Sequence, residues 1–96
     1  MDVPIEIKID RELRRIVVTW TNGDERGLDA SRLRRACMCA QCRRIRLSGG
    51  TVEAPARIAI EGLQAMGYGV QIEFSDGHAR GIYPWRYLSE LSAEFA

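Results

Sequence analysis

Thr19-Trp20-Thr21-Asn22-Gly23-Asp24-Glu25-Arg26-Gly27-Leu28 aligns without a gap onto Glu73-Phe74-Ser75-Asp76-Gly77-His78-Ala79-Arg80-Gly81-Ile82. In each copy an apolar or β-branched run meets Asn-Gly or Asp-Gly and then a short return. These dipeptides are strong hairpin signals, because a type I′ turn requires positive φ at both central residues. Two hairpins are expected, one with strands 15–20 and 24–28 and the other with strands 68–74 and 79–82. Gly27 and Gly81 hold equivalent places after the turns, which points to bulges or close backbone approach.

The segments after the two hairpins are also alike. Asp29 predicts an N-cap whose side chain accepts from the free N–H groups of residues 30–32, with a helix running through Leu33 toward Arg35. Pro84, equivalent to Ala30, opens a second helix with Trp85, Leu88 and Leu91 on one face. Residues 5–8 alternate as a strand, and residues 57–66 read as a strand with a glycine irregularity. Gly49-Gly50 and Pro55 mark an exposed connection between the halves. The expected class is therefore α+β, one domain over residues 1–96. It is an antiparallel sheet built from two pseudo-repeated hairpin-plus-helix units, with Trp20, Phe74, Trp85 and Leu88 in its core.

Cys37-Met38-Cys39-Ala40-Gln41-Cys42 places all three cysteines of the chain within six residues, and His78 is its one histidine. Positions i, i+2 and i+5 share no face of a helix, and in a strand the third would point away from the first two. Only a turn makes the three thiols converge. Burial explains single cysteines well and three at this density poorly. A CxCxxC knuckle closed by a distant imidazole supplies the Cys3His shell that zinc favours in structural sites. In the internal alignment His78 stands where the first unit has Asp24, so a metal on Cys37, Cys39, Cys42 and His78 would bridge the two units.

Composition narrows the rest. Lys and Arg total 14 and Asp and Glu 13, for a net charge of +1, so the chain as a whole is not a polycation. Arg32, Arg34, Arg35, Arg43, Arg44 and Arg46 nevertheless surround the thiols, with no acidic residue across 30–47. Part of that cluster is expected to favour the ionised sulfurs needed for ligation. No apolar run approaches a membrane span, and the N-terminus, with Asp2, Glu6 and Lys8, lacks the apolar stretch of a signal peptide. An odd cysteine count argues against a disulfide framework, and a cytoplasmic location is expected.

Leu33-Arg34-Arg35-Ala36-Cys37-Met38-Cys39-Ala40-Gln41-Cys42, with Ser75-Asp76-Gly77-His78-Ala79-Arg80-Gly81-Ile82-Tyr83-Pro84-Trp85-Arg86-Tyr87-Leu88 downstream, resembles the gamma-butyrobetaine hydroxylase N-terminal-like domain family over nearly the whole chain. Met38 departs from the proline or arginine common there in that family. The resemblance implies a free-standing bacterial member of unknown function, with zinc on Cys37, Cys39, Cys42 and His78. It also implies a protein partner, because related domains precede an oxygenase domain or are attached to P-loop ATPases that carry iron–sulfur clusters. It does not imply oxygenase activity, since one histidine cannot supply the two-histidine, one-carboxylate iron site.

Four functions can be ranked on these residues. A non-catalytic, zinc-held interaction module comes first, docking onto a partner protein or onto its own copy, because a closed shell leaves no reactive position. An accessory in iron–sulfur cluster assembly ranks second, since clusters usually take four thiolates. Nucleic-acid binding through the arginine cluster ranks third, as no recognised motif lies beneath it. A thiol redox enzyme ranks last, because CxxC at Cys39 and Cys42 lacks a βαβ setting.

Overall fold

A computed structural model of the chain describes residues 3–95. Met1, Asp2 and Ala96 lie outside the described residues, and with them the part of the N-terminal reading that used Asp2. The first unit is a three-stranded antiparallel sheet of β1 (Pro4–Asp10), β2 (Arg15–Trp20) and β3 (Glu25–Asp29), followed by α1 (Ala30–Arg35) and α2 (Ala40–Leu47). The second is a three-stranded antiparallel sheet of β4 (Ile60–Met66), β5 (Gly69–Phe74) and β6 (Ile82–Pro84), followed by α3 (Trp85–Phe95). The fold is the α+β arrangement expected, with the strands divided between two sheets rather than joined in one.

The central strands explain the core. Ile16, Val18 and Trp20 alternate inward along β2, and Val70, Ile72 and Phe74 do the same along β5. A period of two places one apolar row on one face of each sheet. These rows meet Leu28, Leu33, Tyr83, Trp85, Leu88 and Leu91 in one continuous cluster. α3 packs on β3 of the first sheet as well as on β6 of its own, so the units share that core.

The two hairpin tips are the same structure. Trp20 N–H donates to Asp24 O at 2.8 Å and Gly23 N–H to Trp20 O at 2.9 Å; Phe74 N–H donates to His78 O at 2.9 Å and Gly77 N–H to Phe74 O at 3.1 Å. The Asp24 N–H bonds Asn22 Oδ1, and the His78 N–H bonds Asp76 Oδ1, each at 3.0 Å. The type I′ geometry expected is absent: Gly23 and Gly77 have φ of 91° and 85°, but neither Asn22 nor Asp76 has positive φ. These are three-residue loops that need only a glycine in the left-handed region, with the Asx side chain bracing the turn.

Beyond the tip the units diverge. Val17 lies opposite Gly27, whereas its equivalent Gln71 lies opposite Ile82, one residue past Gly81. The second return strand thus carries one extra residue after His78, a bulge that leaves 79–81 outside the ladder and starts β6 at Ile82. Pro84 ends that strand, and the helix begins one residue later at Trp85. The irregularity expected near Gly62 is a register shift between Ile60 and Gly62, with β4 starting at Ile60 rather than at 57.

Asp29 precedes α1 as expected, but its side chain makes no capping bond. It is still the last residue of β3, opposite Arg15, and the Ala30 N–H is satisfied by Arg14 O at 2.9 Å. α2 has no counterpart among the helices that the sequence pattern predicts. Its only buried residue is Cys42. It ends in a Schellman motif, with Gly50 N–H on Ile45 O at 2.9 Å, Gly49 N–H on Arg46 O at 3.1 Å and Gly49 at φ 87°. Among the described residues no helix is long and apolar enough to cross a membrane.

Candidate metal centre

The knuckle is a loop leading into the first turn of a helix. Cys37 comes after α1, Cys39 is the N-cap of α2 in extended conformation, and Cys42 lies in the first turn. Cys39 and Cys42, three apart at a helix start, present both sulfurs to one side. Cys37 and Cys42 are buried and Cys39 is half-buried, while Met38 between them is 48% exposed.

His78 arrives from the other unit. The bulged hairpin brings its Nε2 to 3.2 Å from Cys37 Sγ, 3.6 Å from Cys39 Sγ and 3.8 Å from Cys42 Sγ. All four ligand atoms lie within 4.8 Å of one another. Zinc–sulfur and zinc–nitrogen bonds of ordinary length span tetrahedral S···N edges of about 3.6 Å, so the three observed separations fit a single tetrahedral ion. The residues that the spacing singled out are thus brought together, and the cluster can hold a metal ion.

The electrostatics suit ligation. Burial pushes the Cys37 thiol up to about 12, and the neighbouring sulfurs add to the effect. Burial opposes ionisation of Cys39 as well. There it is outweighed by the Cys42 and Gln41 backbone N–H groups at the start of α2 and by hydrogen bonding among the sulfurs, so the thiol falls below its usual value. Burial and then the Arg34 charge hold His78 below the usual imidazole value despite Asp76, which favours the neutral ring a metal requires.

Arg34 ties these parts together. Its Nε donates to Asp76 Oδ2 at 3.0 Å and a terminal nitrogen to Cys42 Sγ at 3.4 Å. Burial alone would raise the Asp76 carboxyl; the His78 N–H and the Arg34 guanidinium outweigh it and hold Asp76 below the usual range.

A second set of contacts reaches the carbonyls where α1 ends. Tyr83 OH donates to Leu33 O, Tyr87 OH to Ala36 O at 2.6 Å, and Arg46 to Cys37 O at 2.6 Å and to Arg35 O. The Tyr83 and Tyr87 rings stack with centroids 6.1 Å apart. Arg34 meets the expectation that part of the arginine cluster lies against the sulfurs, whereas the carbonyl contacts of Arg46, Tyr83 and Tyr87 were not legible in the sequence. Their partners are local only in space, as with Tyr83 and Leu33. Arg80 and Arg86 are exposed.

Comparison with known proteins bears on the family and the fold. The family model described as "Gamma-butyrobetaine hydroxylase-like, N-terminal" matches residues 7–89. A crystal structure of a protein of unknown function from Acidithiobacillus ferrooxidans, described as belonging to the DUF971 family, is similar at 34% identity. It has a TM-score of 0.76, with 94% of this chain and 92% of that one covered. Two NMR solution structures share the fold at 23% and 24% identity, each with a TM-score of 0.74 and 98% of this chain covered; they are covered over 75% and 73% of their own lengths. No curated protein matches.

Proposed function

The chain belongs to the gamma-butyrobetaine hydroxylase-like N-terminal family, and from that premise we propose that it is a non-catalytic docking module fastened by zinc on Cys37, Cys39, Cys42 and His78. The observation that carries this reading is the convergence of three sulfurs from one unit and an imidazole from the other within 4.8 Å. Four protein ligands complete the shell of a structural zinc site and leave no position open for a substrate. When bound, the ion supplies a cross-link between the units, adding to stability where a small core is thin. All three thiols are then committed to the metal, which suits the reducing cytoplasm and removes them as nucleophiles. The proposed partner is a protein, of the oxygenase or P-loop iron–sulfur ATPase class to which related domains are joined, or a second copy of this chain.

Elemental analysis and cobalt substitution test the metal. The expected result is about one zinc per chain, replaceable by cobalt with a tetrahedral spectrum. A purified protein that is metal-free, and equally folded with and without added zinc, would overturn the structural role. Visible absorbance with bound iron and sulfide after anaerobic reconstitution would instead favour an accessory role in iron–sulfur assembly.

A further inference from the structure

α2 is held in place without a packed face of its own. Cys42 is its only buried residue, and Arg46 binds it back onto the end of α1. On the opposite side Ala40, Arg43, Arg44 and Leu47 stand at i, i+3, i+4 and i+7, one continuous stripe of a helix. With Ser48 they line an open groove of about 450 Å³. Leu47 within it is 87% exposed.

The charge of this stripe is not balanced from within. A divalent ion with three thiolates and a neutral imidazole would carry a single net negative charge, and the guanidinium already on Cys42 Sγ is that of Arg34. The side chains of Arg43 and Arg44 make no hydrogen bond or ion pair among the described residues. No carboxylate lies anywhere in residues 30–47 to approach them along the chain. An apolar stripe flanked by two free guanidinium groups is complementary to an apolar stripe flanked by carboxylates.

We propose that this face of α2 docks an acidic amphipathic helix of a partner protein, laying an apolar residue against Ala40 and Leu47 with carboxylates on Arg43 and Arg44. The proposal rests on the docking-module reading and gives that module its surface and the chemistry of its partner. Helix-in-groove recognition uses anchors at this spacing. Two guanidinium groups on one helical turn favour carboxylates spaced i, i+3 or i, i+4 over a uniform polyanion, and the apolar residues between them favour a protein over a nucleic acid.

Selection from an unbiased displayed library of short peptides on the full chain provides the test, with amide-shift mapping of the enriched sequences. The expected peptides carry Asp or Glu flanking apolar residues at helical spacing and shift the amides of residues 40–48. Arg43→Glu with Arg44→Glu weakens them by at least about tenfold, while Arg11→Glu with Arg57→Glu, the same charge change at exposed sites elsewhere, has little effect. Metal content of both double variants stays at the parent value. Neutral or basic peptides, or a footprint away from α2, overturn this surface and leave the docking module standing. The same holds if a single-stranded DNA oligonucleotide binds equally well and is lost in the Arg43→Glu, Arg44→Glu variant, or if that variant dissolves a dimer of the chain. Failure to enrich any sequence overturns this surface, whereas a metal-free chain equally folded with and without zinc overturns the module itself.

Discussion

A Cβ added to Gly81 would lie 2.7 Å from Cys37 Sγ. The extra residue after His78 therefore does two things at once: it turns the imidazole toward the cysteines, and it presses the returning backbone against the most buried of them. Gly27, the equivalent residue in the first unit, would also place a Cβ at 2.7 Å from a neighbour, but there the neighbour is a terminal nitrogen of Arg15 that can swing away.

Gly81→Ala and Gly27→Ala should thus differ. The first has to displace a sulfur fixed by burial and is expected to cost about 1–3 kcal/mol, typical of overpacking, together with a loss of metal affinity. Gly27→Ala is expected within about 1 kcal/mol of the parent, with metal content unchanged. Denaturant unfolding and zinc titration check both; equal metal affinity in the two variants would show that the Gly81 contact does not bear on the site.

Asp76 does two jobs, separable because Asn22 does only one of them in the first hairpin. Asp76→Asn keeps the Oδ1 bond to the His78 N–H, as Asn22 keeps its bond to Asp24, and gives up only the charge facing Arg34. It is expected to cost at most about 1 kcal/mol, the scale of a partly exposed ion pair. Asp76→Ala also releases the turn that places His78, and should lower metal affinity where Asp76→Asn does not. Because the folded carboxyl lies below its usual value, its contribution is present above the usual carboxylate range and lost as pH falls through the folded value. Wild type should lose more stability on acidification than Asp76→Asn, as read by unfolding at about pH 7 and about pH 3.

Cys37 contributes one proton to the competition at the site. With its thiol pushed up to about 12, the metal-free protein holds that proton at neutral pH, so loading must release it. Zinc affinity is expected to rise at least about tenfold per pH unit between about pH 6 and 8, read against a competing chelator. The sign reverses for the metal-free fold in alkali. A thiol raised above its usual value contributes stability that is complete below the usual thiol value and is lost as pH rises toward about 12. Cys37→Ser should make the pH dependence of zinc affinity shallower by the one proton that Cys37 releases and remove the alkaline loss of stability; an unchanged slope would assign that proton to another ligand.

The gapless match between residues 19–28 and 73–82 made the two hairpins legible, because turn chemistry is local and both copies use the same Asx-Gly pair. It did not distinguish the type I′ turn from the three-residue loop, since both accept those residues and differ in loop length and in φ at Asn22 and Asp76. The ligand set was legible because thiol density needs no tertiary information. α2 was not: it buries only Cys42, so the apolar period that marks a packed helix is absent. The local signal lay at its far end, where Gly49-Gly50 forms the Schellman motif. The support from Tyr83 and Tyr87 was beyond local reading altogether, because their acceptors lie on another unit.

Those tyrosines separate the fold of the knuckle from its metal. The buried Tyr83 hydroxyl donates to Leu33 O, which also accepts from the Ala36 N–H at 3.2 Å, so Tyr83→Phe removes one of two bonds to that carbonyl, at an expected cost of about 0.5–1.5 kcal/mol. Tyr87 is half-buried, and water can replace its bond to Ala36 O, so Tyr87→Phe should cost about 0.5–1.5 kcal/mol. Both bonds hold the end of α1 whether or not an ion is present. The losses should therefore appear in chelated protein as fully as in zinc-loaded protein, measured by denaturant unfolding of each form. A cost that vanishes on chelation would mean that the metal, and not this pair of hydroxyls, shapes the loop carrying Cys37.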